Sequence, residues 1–170
     1  MMKTRTTEIE ECLLYELKRF NDNRGFFQEI CRWPDIIQME QVNWSFSKQD
    51  TIRGLHISTF NKFVTCVSGS IYDVVVDMRK DSKTYLKQAV VTLNSNEPTS
   101  LYIPGGCAHG FMALTDATVV YLQSDTYKPK NEKSIHYSFS EWPKPISGAY
   151  IVSEKDEKAE KWIQKTIGQN

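Results

Sequence analysis

From Lys62 to Tyr127 the sequence is a train of short segments rich in Val, Ile, Thr, Tyr and Phe, each cut off by Gly, Ser, Asn or Asp. That pattern specifies strands without long intervening helices. KFVTCVSGSIYDVVVDM predicts two strands around a turn at Ser68 to Ser70, because Gly69 tolerates the backbone angles such a turn requires. QAVVTLN predicts another strand, ended by NSNEP. TSLYIP, HGFMALT and ATVVYLQSDTY follow, separated by Gly105-Gly106 and by Thr115-Asp116. Strands recurring at about 8–12 residues point to an all-β sandwich or barrel, with a double-sheet jelly roll as the leading architecture. Helices are expected only at the periphery. WPDIIQME suits a short one with Pro34 in its first turn, and SEKDEKAEKWIQKTIG suits a C-terminal one with an acidic start, later lysines and a terminal glycine.

No repeat, low-complexity tract or linker divides the 170 residues, so residues 1–170 read as one domain, with a core over about 20–137 and an extension over 138–170. The least regular stretch, SFSEWPKPISG, reads as a surface connection. Lys and Arg number 21, as do Asp and Glu, which leaves no bulk attraction for nucleic acid or an anionic membrane. Phosphate recognition must then be local. The four cysteines, Cys12, Cys31, Cys66 and Cys107, are widely spaced with no C-x-x-C pair, as expected of reduced thiols in a cytoplasmic protein. The N-terminal acids interrupt any signal-peptide apolar region, and no run approaches the ~20 apolar residues of a membrane span.

Three histidines can carry chemistry. His56 in RGLHIST and His109 in IPGGCAHGF both lie beside glycines at the edge of a predicted strand, where sandwiches open and bind ligands. His136 in KSIHYSF has no such setting and reads as structural. Metal-binding double-sheet barrels carry an H-x-H pair, whereas His56 is followed by Ile57 and Ser58, so the spacing argues against a metal centre. Two histidines with Tyr121, Tyr127, Asp73 and Asp156 suit proton transfer instead. Asp73 stands in a run of valines, where an inward carboxylate needs a partner or a function. Ser153 and Asp156 also match a helix capping box, a structural reading of the same residues.

The succession FNDNRGFFQEI, QVNWSFSKQDTIRGLH, KFVTCVSGSIYDVVVDMRKDSKTY, LYIPGGCAHGF, VVYLQSDTYKPKNEKSI and VSEKD resembles, in order and spacing, the nucleotide-sugar 3,5-epimerases typified by dTDP-4-dehydrorhamnose 3,5-epimerase. The resemblance covers Phe20 to Asp156. It implies a cupin-like jelly roll, a homodimer, and epimerisation at C3 and C5 of a dTDP- or UDP-linked 4-keto-6-deoxyhexose with no metal or organic cofactor. His56 matches the catalytic base and Asp156 the carboxylate that orients it. Tyr121 matches the acid on the opposite face of the sugar, and Lys62 the ammonium that steadies the enolate oxygen. His109 and Asp73 match groups lining the sugar pocket. Arg24 and Arg53 resemble pyrophosphate ligands. Gln41, Asn43 and Glu29 resemble polar contacts to the nucleotide, and Phe27 and Tyr127 the aromatic groups around its base. The Arg24 to Glu29 segment is expected to reach the neighbouring subunit's site.

This sequence departs from the family pattern in two places. RGLH is followed by Ile57-Ser58-Thr59 in place of Tyr-Gln, with a shortened connection to Lys62, and HYSFSEWPKP replaces a W-N-D-P stretch. Substrate identity and the number of epimerised carbons therefore stay open. A C3-only epimerase would use the same groups. Rivals from other classes are a non-catalytic sugar-nucleotide binding cupin and a metal-dependent cupin; the second lacks its H-x-H.

Overall fold

The computed structural model describes residues 3–32, 38–128, 130 and 132–162. In chain order its strands are β1 (Lys3–Thr6), β2 (Leu13–Glu16), β3 (Arg19–Asp22), β4 (Gly25–Gln28), β5 (Gln41–Ser47), β6 (Thr51–Ile57) and β7 (Lys62–Ser68). They continue as β8 (Ser70–Asp77), β9 (Gln88–Asn94), β10 (Thr99–Ile103), β11 (Cys107–Ala113), β12 (Ala117–Gln123), β13 (Lys133–Ser134) and β14 (Ile151–Val152), followed by the one-turn helix α1 (Glu154–Glu157). One sheet runs β1-β2-β10-β7-β12-β5 and the other β13-β6-β11-β8-β9, with β14 added parallel to β6. A separate hairpin pairs β3 with β4. This is the double-sheet jelly roll expected from the strand spacing.

Period-two alternation builds the core. Val64 and Cys66 of β7, Leu101 of β10 and Val119 of β12 meet Ile71 and Val75 of β8, Leu93 of β9 and Phe111 of β11 between the sheets. The other face of β8 is covered too: Val74 and Val76 join Leu55, Ala108 and Ile135 beneath Phe139 and Trp142. Burial on both faces explains the nearly continuous apolar run of β8. At the β7–β8 turn, Gly69 has φ +75°, and an added Cβ would fall 2.1 Å from the Asp116 carbonyl oxygen. Glycine is required there both for the angle and for the space.

The segment QVNWSFSKQDT, polar by composition, forms β5 and the start of β6. Its alternation is inverted: Val42, Trp44 and Phe46 are 66%, 73% and 52% exposed, while Gln41, Asn43 and Ser45 line a cavity between the sheets. The C-terminal helix is also shorter than its composition predicts. Past Glu157 the chain turns, and Glu160 pairs with Ile135 while accepting from the His136 N–H at 2.9 Å. Backbone pairing with the sandwich thus overrides helix propensity; residues 163–168 of the expected helix lie outside the described residues. So do residues 33–37 of the expected WPDIIQME helix, and residues 38–40 are irregular. Among the described residues no helix is long and apolar enough to cross a membrane.

Candidate active site

The cavity encloses about 600 Å3, with walls drawn from both sheets. On the first sheet, strand register sets Lys62, Gln123 and Gln41 in one row, Val64, Tyr121 and Asn43 in the next, and Cys66, Val119 and Ser45 in a third. On the facing sheet His56 of β6 stands opposite His109 of β11, and Arg53 opposite Phe111, across a bulge between His109 and Phe111. The strands cross closely at that bulge. A Cβ on Gly54 (φ +119°) would lie 2.6 Å from the Gly110 Cα, so side-chain-free residues at this crossing let Arg53 and His56 both reach the cavity.

His56 Nε2 lies 2.7 Å from Asp156 Oδ1. The second carboxylate oxygen accepts from the Gly54 N–H at 3.3 Å, and the Asp156 N–H donates to Ser153 Oγ at 3.1 Å, so the capping box and the dyad coexist. Parallel pairing of β14 with β6 delivers α1 to this position. Burial pushes the Asp156 carboxyl up, but the hydrogen bond and charge of His56, with bonds from Gly54 and Ser153, outweigh it and hold the pKa below the usual aspartate value. An ionised Asp156 accepts the proton on Nε2, which leaves Nδ1 of neutral His56 as the lone-pair nitrogen. Nδ1 has no hydrogen-bond partner among the described residues.

The second histidine is equally committed. Asp73, fully buried on the inner face of β8, receives His109 Nε2 at 2.9 and 3.0 Å, the partner that its place among valines required. Lys62 is 8% exposed and has no ion-pair partner within 4 Å among the described residues. Burial lowers its pKa to about 8, partly opposed by Glu132 and Asp73. Burial also raises the Tyr121 phenol, with Arg53 acting against it. The cavity therefore holds a lone-pair nitrogen on one wall, and a protonated phenol and an ammonium on the other. Among the described residues no three His, Cys, Asp or Glu side chains cluster to hold a metal ion.

A family model described as dTDP-4-dehydrorhamnose 3,5-epimerase matches residues 6–164. The chain belongs to the dTDP-4-dehydrorhamnose 3,5-epimerase family. The family enzyme of Shigella flexneri is 35% identical over 92% of this chain and 94% of its own. A Legionella pneumophila epimerase crystallised with dTDP-4-keto-L-rhamnose superposes with a TM-score of 0.88 at 32% identity, over 95% of this chain and 93% of that one. A 3'-monoepimerase from Streptomyces bikiniensis, in complex with dTDP-quinovose, gives 0.83 at 30% identity over 90% and 84%.

In this member of the epimerase family, nine of the residues singled out from sequence line the cavity: His56, Lys62, Tyr121, Asp156, Gln41, Asn43, Arg53, His109 and Tyr127. Asp73 lies behind His109. Arg24 and Phe27 stand on the β3–β4 hairpin with Glu29 just beyond it, away from the cavity wall; Arg24 bonds Asp22 at 2.7 Å and Glu29 bonds Arg32 at 2.8 Å. Among the polar wall residues not apparent in the sequence are Glu132, Lys155 and Gln123. Glu132, held by Lys155 at 2.7 Å and by the Tyr127 hydroxyl at 3.3 Å, stands between Lys130 and Lys133, which gives it no sign in the sequence of an inward role. Lys155 has one signal, its place directly before Asp156. Gln123 has the inward alternation it shares with Tyr121.

Proposed function

We propose that this protein epimerises C3 and C5 of a dTDP-linked 4-keto-6-deoxyhexose without a cofactor. The observation that carries this reading is the placement of the His56–Asp156 pair and Tyr121 on opposite sheets across one cavity. His56 Nδ1 takes the proton at C3, and the C–H electrons pass to the C4 oxygen as an enolate steadied by Lys62. Tyr121, kept protonated by its raised pKa, returns a proton to the other face of C3. Loss of the histidine proton to solvent and recovery of one by the phenolate reset the site, and the same cycle at C5 completes the product. The ketone is unchanged, so no redox partner enters. In this reading Arg53, which bonds Ser47 Oγ at 2.9 Å and lines the cavity, takes the pyrophosphate, and Gln41, Asn43 and Tyr127 take the nucleotide. The reading includes a cytoplasmic location, in keeping with a soluble nucleotide-sugar substrate.

Incubation with a dTDP-4-keto-6-deoxyhexose in D2O, followed by NMR, tests this reading. Deuterium is expected at C3 and C5. Label at C3 alone would assign the single epimerisation named for the Streptomyces bikiniensis relative, and no label would leave a binding protein.

The reading includes a homodimer. The outward face of β5, with Val42, Trp44 and Phe46, and the exposed Phe20, Phe26 and Phe27 of the hairpin form apolar surface that a second copy would cover while Arg24 reaches the neighbouring site. Trp44→Glu is expected to give monomers by light scattering and, with the partner's guanidinium withdrawn, dTDP binding weaker by about 10- to 100-fold. A wild-type monomer with full activity would exclude this assembly.

A further inference from the structure

One polar chain on the cavity wall has its direction fixed by the backbone. The Tyr127 N–H donates to Gln41 Oε1 at 2.8 Å, and since a backbone N–H can only donate, that atom must be the amide oxygen. Gln41 Nε2 must then donate to Asn43 Oδ1, at 2.7 Å, and Asn43 Nδ2 to Gln123 Oε1, at 2.6 Å. The chain ends on Gln123 Nε2, whose two N–H groups have no hydrogen-bond partner among the described residues. Gln123 is 3% exposed and lies on the cavity wall. The Nε2 amide is not among the buried polar atoms left without a partner, so its free N–H groups open onto the cavity, where a ligand oxygen can accept from them.

Register decides which oxygen. Gln123 is the direct cross-strand partner of Lys62, and paired side chains on one sheet face stand about 5 Å apart at Cβ. Both project from the same inner face toward the wall that carries His56. An oxygen held by the Lys62 ammonium is within reach of the neighbouring amide, and the relay through Asn43 and Gln41 stops that amide from rotating to present its oxygen.

We propose that Gln123 is a further catalytic residue, whose Nε2 amide donates alongside Lys62 to the C4 oxygen of the keto sugar as it becomes an enolate. This rests on the reading that Lys62 faces that oxygen. The two groups together form an oxyanion site in which the ammonium supplies charge and the amide supplies direction.

The test uses Gln123→Met and Gln123→Glu in the full chain, with Lys62→Met as reference, and follows exchange of the C3 proton in D2O. Both Gln123 variants are expected to lose about 10²-fold in kcat, and Gln123→Glu, which keeps the acceptor for Asn43, is expected to bind dTDP as the wild type does. In a His56→Ala background, where bound substrate keeps its proton, the 13C resonance of the C4 carbonyl is expected to move toward its free position when Gln123→Met is added. A kcat near wild type, an unmoved carbonyl resonance, or a loss confined to dTDP affinity would each overturn the proposal. Should Gln123→Met fail to fold, Gln123→Glu decides alone. It keeps the acceptor for Asn43 and nearly the same volume but presents no donor, and wild-type exchange from it rejects the role. Undiminished exchange in Lys62→Met would instead overturn the underlying reading of the site, whereas exchange lost there and kept in both Gln123 variants overturns this inference only.

Discussion

Proton exchange at C3 and C5 is expected to fall by at least about 10³-fold in His56→Ala, because the variant loses the lone-pair nitrogen facing the cavity. Asp156→Asn is expected to be damaging for a different reason. The amide can donate to the ring nitrogen that the carboxylate held at 2.7 Å, which favours the other tautomer and turns the lone pair of His56 away from the substrate. Nucleotide affinity should change little in either variant, since neither group belongs to the proposed pyrophosphate site. Both effects are read by NMR in D2O and by titration with dTDP. Near-normal exchange in His56→Ala would remove it as the base and leave His109, tied to Asp73, as the imidazole on the cavity wall.

Lys62→Met is expected to be nearly inactive and at the same time more stable. Burial lowers the Lys62 pKa from 10.5 to about 8, so the charged form is the one the fold disfavours. Between those pH values the unfolded chain holds a proton that the native protein has released, so native stability rises with pH through this window. Below about pH 8 both states hold it, and the destabilisation is present in full. Methionine, similar in length and apolar, should therefore add about 1–3 kcal/mol at neutral pH, read as a higher midpoint in urea. The catalytic requirement has the opposite sign. Enolate binding needs the ammonium, so the kcat of the wild type should decline above about pH 8. A flat profile between pH 7 and 9.5, or a Lys62→Met variant less stable than the wild type, would count against this account.

The strands from Lys62 to Gln123 were legible because each carries its burial in its own sequence: β8 is apolar on both faces, and Gly69 marks the turn before it. β5 was not, because its inward positions Gln41, Asn43 and Ser45 serve a cavity and its apolar positions face outward, reversing the usual code. α1 was overestimated for a related reason: Glu and Lys favour a helix locally, while the pairing of Glu160 with Ile135 is visible only in three dimensions. The site was legible through motifs rather than through any local physics. His56 and Asp156 stand 100 positions apart, and no periodicity links them. Asp73 is the exception, since a carboxylate among valines announces that it has a partner, though not that the partner is His109. Gln123 gave no comparable sign, because its meaning depends on the direction of a relay that begins at the backbone of Tyr127.

The parallel pairing of β14 with β6 separates what makes this protein a fold from what makes it a catalyst. The core between the sheets is complete by β12, yet the carboxylate that orients His56 arrives only on the short segment after β14, held by two register pairs and one helical turn. A molecule clipped before Ile151 would keep the residues of the core between its sheets, Cys12, Cys66 and Cys107 among them. It would nevertheless be a decoy, a sandwich with a cavity but without the group that orients its histidine.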